Sequence, residues 1–356
     1  MTLDGKRIRV LVVEDSPVQR ELQVHLINAD PDLEVVGTAT DGREAVEQVR
    51  LCRPDVVTMD FHMPHMDGAE ATRIIMETQP LPIVVVSGSS ARGEVAHTFR
   101  ALDAGALVII EKPAAPGSEA ARKMVETIKL MAEVRVVRRW PQAGRAALPQ
   151  SASPQQRPES AVGLVAIGAS TGGPLALQTI LAALPRDVLA PIAIVQHISP
   201  GFTEGFAEWL TDASDFPVRV AAQGERLEPG QGYVAPEERH MTVKADGRGG
   251  YRIELVGDEL ENGHRPSVSR FFRSVAEAAG PKAVGVILTG MGKDGAAELR
   301  TLREQGAVTI AQDRESSVVP GMPGEAIRLE AAAHILPPEQ IGGFLAALVK
   351  RRNGFK

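Results

Sequence analysis

The stretch Gly168-Ala169-Ser170-Thr171-Gly172-Gly173 sets one serine among glycines, after a short apolar run (164–167) and before a helix-like segment (174–184). A strand that turns sharply into a helix lifts its turn residue clear of the backbone. Flanking glycines let such a turn take dihedrals that a side chain would forbid. The spacing therefore presents the Ser170 hydroxyl at a strand's carboxyl end, which is how a nucleophilic serine is mounted. Such a serine needs a base to react near neutral pH. His197 ends the apolar run 192–196 and so stands at the carboxyl end of another strand. A carboxylate should orient its ring. Asp294, in Leu288-Thr-Gly-Met-Gly-Lys-Asp-Gly295, comes from a third strand-to-helix corner. Backbone amides at Thr171, Gly172, Gly173, Met291 and Gly292 are candidates for an oxyanion hole. Each piece has a plainer reading: a phosphate-binding loop, a structural histidine, an aspartate capping the helix that follows it. Together they point to acyl transfer. The chain order Ser, His, Asp differs from the Ser, Asp, His of α/β-hydrolases, so that fold is excluded despite the shared elbow.

A second constellation lies in the first third of the chain. Glu14 and Asp15 end one apolar run, Asp60 ends another, Ser87 a third, and Lys112 a fourth. In a parallel α/β sheet these ends line one crevice. Three carboxylates meeting there repel one another unless a cation joins them, and an all-oxygen set suits Mg²⁺. A lysine and a hydroxyl at the same edge can bind the oxygens of a phosphoryl group. His62 and His65, on either side of Met63-Pro64, have no third ligand nearby in sequence and read as loop residues.

These residues need elements that carry them to shared edges. Apolar runs at 8–14, 33–39, 55–60, 83–87 and 107–111 alternate with helical periodicity at 16–28, 42–53, 68–79, 93–104 and 118–139. Five such units predict a doubly wound parallel sheet of flavodoxin-like type, with right-handed crossovers. Residues 141–160 contain four prolines and no apolar period, and read as a linker. A second α/β block resumes at Val162. Its strand-like runs between 218 and 256 have no helices among them, which predicts an antiparallel hairpin excursion from a mainly parallel sheet. The expected organisation is a first domain over 1–139, a linker over 140–160 and a second domain over 161–350.

Composition narrows the classes. A chain of 356 residues is too long for one typical domain. Hydrophobic residues at 44% suffice for two cores, and with aromatics at only 4% the fillers must be aliphatic. A net charge of −6 argues against gripping nucleic acid by bulk electrostatics. The single cysteine, Cys52, excludes internal disulfides and reads as structural. No apolar run reaches membrane-spanning length, and residues 1–7 carry no signal-peptide core. A soluble, cytoplasmic protein without membrane insertion is expected. A nucleotide-binding second block would need an acidic ribose ligand about twenty residues after the glycine loop, and 189–195 offer none. A transcriptional regulator would need a helix-turn-helix and a basic face, which the strand-rich second block does not provide.

Both constellations resemble known families. Val12-Val-Glu-Asp-Ser16, Met59-Asp-Phe-His-Met-Pro-His-Met-Asp-Gly68, Val85-Val-Ser-Gly88 and Glu111-Lys-Pro113 resemble the receiver domain of two-component response regulators. That resemblance implies Asp60 as phosphoacceptor from a chemotaxis histidine kinase. It implies Mg²⁺ held by Glu14, Asp15, Asp60 and the His62 carbonyl, with Ser87 and Lys112 sensing phosphorylation. Receivers usually carry an aromatic where this chain has Ile109. Ile167-Gly-Ala-Ser-Thr-Gly-Gly-Pro174, Gln196-His197, Pro200-Gly-Phe-Thr203, Ala235-Pro236, His240, Gly263-His-Arg-Pro-Ser267, Leu288-Thr-Gly-Met-Gly292, Asp294-Gly295, Ala311-Gln-Asp313 and Gly321-Met-Pro323 resemble the CheB family of chemotaxis methylesterases. The resemblance implies hydrolysis of glutamate methyl esters on chemoreceptors, with release of methanol. It also implies possible glutamine deamidation, and no cofactor for the hydrolysis. By it Ser170 is the nucleophile, His197 the base and Asp294 the orienting acid, and the unphosphorylated receiver covers that edge. Ser269, Lys293 and Pro320 depart from the family's usual residues.

Overall fold

The computed structural model describes residues 6–88, 95, 98–134, 136, 162–186, 188–257 and 259–349. The expected linker over 140–160, residues 89–90 and most of the first half of the expected helix 93–104 lie outside them. The chain divides into two compact units, Met1–Ala146 and Ala147–Lys356.

In the first unit, β1 (Ile8–Val13), β2 (Leu33–Ala39), β3 (Val56–Asp60), β4 (Ile83–Ser87) and β5 (Val108–Glu111) form one sheet. Its order is β2-β1-β3-β4-β5, parallel throughout. β3 and β4 are buried along their whole length, as strands covered by helices on both faces must be. Helices α1 (Pro17–Asn28), α2 (Gly42–Cys52), α3 (Gly68–Thr78), α4 (Arg100–Asp103) and α5 (Glu119–Ala132) connect and cover it. The expected last helix, 118–139, stops earlier, at Ala132. The β-branched Val134 just beyond that end is a poor continuation of a helix.

The second unit holds a seven-stranded sheet in the order β14-β13-β12-β6-β7-β9-β8. These strands are β6 (Leu164–Ala169), β7 (Ile192–Gln196), β8 (Val218–Val220), β9 (Gly232–Val234), β12 (Ala283–Ile287), β13 (Val308–Gln312) and β14 (His334–Leu336). All pair in parallel. The expected antiparallel excursion is therefore smaller than the helix-free run 218–256. β8 and β9 extend the main sheet, because Gly232, Tyr233 and Val234 are all buried and need covering on both faces. Among the described strands, β10 (His240–Ala245) and β11 (Tyr251–Val256) form the antiparallel hairpin.

Chain order explains why function gathers where it does. From β6 the sheet grows one way through β7, then returns to add β12 on the other side. That reversal leaves a crevice at the carboxyl ends of β6 and β12. In the first unit the same reversal falls between β1 and β3. Helices α6 (Gly173–Ala182) and α7 (Thr203–Ser214) follow β6 and β7, and the amphipathic helix α8 (Val268–Ala279) buries Val268, Phe271, Phe272, Val275 and Ala279 at helical spacing. Each of its phenylalanines contributes about 1.5–3 kcal/mol by burial.

Candidate functional site

Three corners converge on the crevice of the second unit. Ser170 follows β6, His197 follows β7 and Asp294 lies beyond β12. The serine corner is fixed through its backbone. The Ser170 amide donates to the Thr289 carbonyl at 3.0 Å, and the Thr289 hydroxyl donates to the Thr171 carbonyl at 2.9 Å. The Gln196 side-chain amide donates to the Ser170 carbonyl at 2.8 Å and to the His197 carbonyl at 2.9 Å, tying the serine and histidine corners together. Gly172 takes φ +78°, the left-handed region that favours glycine. At Gly290 a β-carbon would fall 2.6 Å from Ser170 Cβ, so only glycine lets the Met291 turn approach the serine.

His197 Nε2 lies 3.0 Å from Asp294 Oδ2. Its other nitrogen, Nδ1, is buried and takes no hydrogen bond. The His264 ring stacks on it, centroids 4.0 Å apart and planes within 8°. Asp294 is 2% exposed. It does not cap the helix that follows it, since the residue in that place is Gly295. Instead it accepts from the start of α8: Ser267 Oγ at 3.0 Å and the Ser269 amide at 3.0 Å on Oδ1, and the Val268 amide at 2.7 Å on Oδ2. Burial alone would raise its pKa. The hydrogen bond and charge of His197, with the donors of α8, reverse this and hold the carboxyl well below the usual range. It is therefore ionised at any working pH.

The departures from the family pattern fit this geometry. Ser269 accepts from the Gly295 amide at 2.9 Å and from Asn262 at 3.3 Å, so the serine pins the start of the next helix. The Lys293 charge lies near Glu325 and lowers its pKa, after the larger effect of Arg328. Pro320 pairs with Gly290 in an isolated parallel bridge. Among the described residues, the amides of Thr171, Gly172, Met291 and Gly292 donate to no protein acceptor. Spacing alone points to no role for Gln196, Thr289 or Ser267. The last had a legible sign, a serine between a proline and an apolar helix.

In the first unit, Glu14, Asp15 and Asp60 each offer an oxygen within 4.8 Å of the others. Lys112 Nζ bonds Asp60 Oδ2 at 2.8 Å and Glu14 Oε1 at 3.0 Å. Gln23 donates to Glu14 Oε2 at 2.9 Å, a partner that sequence reasoning missed. Burial, then the Asp60 charge, push Glu14 up to about 7, against the lowering effect of Lys112. Two buried carboxylates sharing one lysine are under-neutralised, and this donor set suits a hard divalent cation. The Ser87 hydroxyl is buried without a hydrogen bond. Ile109 pairs with Val85 and is only half-buried. The His62 amide donates to Asp60 Oδ1 at 3.3 Å. A cavity of about 480 Å³ beside it is lined by Phe61, His62, Met63, Asp67, Ala69 and Arg100.

Residues 165–345 match the CheB methylesterase family, and residues 10–124 match the response regulator receiver domain. A protein-glutamate methylesterase/protein-glutamine glutaminase of Nitrosospira multiformis is 54% identical over 98% of this chain and 99% of its own length. The chain belongs to the CheB methylesterase family. A relative of the same name from Geobacter metallireducens is also 54% identical, over 97% of this chain and all of its own. The Thermotoga maritima CheB methylesterase catalytic domain superposes with a TM-score of 0.51 at 39% identity, covering 53% of this chain and all of that one. This membership accounts for both sites on one chain, a receiver followed by an esterase. No helix among the described residues is long and apolar enough to cross a membrane.

Proposed function

We propose that this CheB-family protein hydrolyses γ-glutamyl methyl esters on chemoreceptor cytoplasmic helices, and deamidates glutamines there, with Ser170 as nucleophile. The His197–Asp294 bond at 3.0 Å, beside the serine corner that Gln196 and Thr289 hold, carries this reading. Ionised Asp294 keeps the proton of His197 on Nε2, which leaves Nδ1 as the nitrogen that takes the serine proton. Ser170 Oγ attacks the ester carbonyl, and the carbonyl oxygen becomes an oxyanion. The amides of Thr171, Gly172, Met291 and Gly292, which donate to no protein acceptor among the described residues, would receive it. The tetrahedral intermediate collapses, the C–OMe bond breaks, and Nδ1–H protonates the leaving methoxide to methanol. Water, deprotonated by the same nitrogen, then hydrolyses the acyl-serine and leaves a free glutamate. With a glutamine the leaving group is ammonia, so one set of groups serves both reactions.

Phosphorylation at Asp60 regulates this activity. A chemotaxis histidine kinase is the donor. Glu14, Asp15, Asp60 and the His62 carbonyl would hold Mg²⁺, which offsets the charge of the incoming phosphoryl group. Ser87, with its unbonded hydroxyl, and Lys112 then bind phosphoryl oxygens. A cytoplasmic location follows from these partners. A fluorophosphonate probe should label the protein at Ser170 alone. A small phosphodonor with Mg²⁺ should label Asp60 and leave the Asp60→Asn variant unmarked. Labelling of a different serine would refute the nucleophile assignment, and an acid-stable label elsewhere would refute the receiver assignment.

A further inference from the structure

His240 begins β10 and is fully buried. Both its ring nitrogens are engaged. Nε2 lies 2.7 Å from the Glu259 carbonyl, and Nδ1 lies 3.2 Å from the Ser267 amide. A carbonyl can only accept and an amide N–H can only donate. The two bonds therefore require a neutral imidazole with its proton on Nε2 and a bare Nδ1. Ser267 is the N-cap of α8, and its hydroxyl bonds Asp294. The next two amides bond the same carboxylate. Besides His197, the three donors on Asp294 thus come from two peptide units and one side chain at the start of one helix, and the first residue of that set is held by His240.

The hairpin grips the same helix a second time. The Val243 amide donates to Ser274 Oγ at 3.0 Å, two turns into α8. β10 and β11 lie outside the main sheet, and these two bonds tie the hairpin to α8 at its N-terminus and again two turns in.

We propose that His240 is a positioning residue for the carboxylate that orients the base, acting through Ser267 to fix Asp294 against His197. This rests on Asp294 being the orienting acid. A displacement of that carboxylate by about 1 Å misaligns the base and can cost about 100-fold in rate.

The unmodified full-length protein gives the first test. Long-range ¹⁵N–¹H NMR near neutral pH should show His240 with a proton on Nε2 and none on Nδ1. A proton on Nδ1 would overturn the proposal. The second test measures methanol release from a methylated receptor fragment. His240→Ala should lower kcat about 10-fold to 100-fold and change KM by less than about 2-fold. His240→Gln, which keeps a donor and an acceptor, should recover part of that loss. In an Asp294→Asn background, His240→Ala should cost less than about 2-fold further, because the group it positions is already disabled. An equal loss in both backgrounds, or a normal kcat in folded His240→Ala, would overturn it. If circular dichroism shows His240→Ala unfolded, His240→Leu, which fills the space but offers no acceptor to the Ser267 amide, takes its place in the same comparison, with the same outcomes counting for and against. Ser170→Ala run alongside separates the two ideas. Retained activity there removes the triad, whereas its loss with an uncoupled His240 removes only this inference.

Discussion

Asp294 and Glu14 are both buried carboxylates, and their surroundings drive them in opposite directions. Asp294 meets an imidazole and a helix start, and stays ionised. Glu14 is buried and faces the Asp60 carboxylate, and its pKa rises to about 7 from an ordinary 4.5. The folded state thus holds the Glu14 proton more tightly than the unfolded chain does. The resulting stabilisation is complete below 4.5 and lost as pH rises through about 7. Without metal, the first unit should melt at a lower temperature near pH 8 than near pH 6, and Mg²⁺ should raise Tm more near pH 8. Glu14→Gln should flatten both differences. Calorimetry on the full chain checks this, and an equal Mg²⁺ effect at the two pH values would count against it. In the second unit, His197→Gln should lose nearly as much activity as Ser170→Ala, several orders of magnitude, and the double variant little more. Asp294→Asn should be milder, since the imidazole remains. Fully additive losses in methanol release would argue against a shared mechanism.

Elements turn those residues into sites through close approaches that only glycine permits. A β-carbon on Gly168 would meet Val268 Cγ1 at 2.3 Å, and one on Gly295 would meet the same atom at 2.3 Å. Val268 is thus wedged between the serine strand and the acid corner. Gly290→Ala would push into Ser170 Cβ and into Met322 Sδ at 2.5 Å. That variant should react with a fluorophosphonate at least about 10-fold more slowly, by displacing the serine. Normal labelling would show that the Met291 turn does not set the serine's position. The strand ends were legible in sequence, because apolar runs bounded by glycine or charge mark parallel strands whatever they pack against. The support of Asp294 was not. Its donors come from a helix start 26 residues upstream, and local spacing points instead to the helix that follows. The parallel place of β8 and β9 was hidden for a related reason. Strand direction depends on the crossover, and a crossover without a helix looks like a hairpin loop.

At the scale of the whole molecule, each unit places its chemistry where its own strand order reverses. One crevice gathers carboxylates and a lysine, the other a serine, a histidine and an aspartate. A chain that couples them can change activity only by the difference in free energy that phosphorylation makes between its more and less active arrangements. A shift from mostly inactive to mostly active needs about 3–5 kcal/mol, within reach of new bonds from a phosphoryl group to Ser87 and Lys112. Residues 155–356, which contain the whole second core, should then release methanol faster than the unphosphorylated full chain. If that fragment is no faster, the first unit does not restrain the second. In the proposed reaction Ser170 performs the hydrolysis. Methanol release from a methylated chemoreceptor fragment, measured for the full chain and for Ser170→Ala, tests it most directly. Steady release by the unaltered protein and a loss of several orders of magnitude in the variant are expected. Near-normal release by folded Ser170→Ala would contradict it.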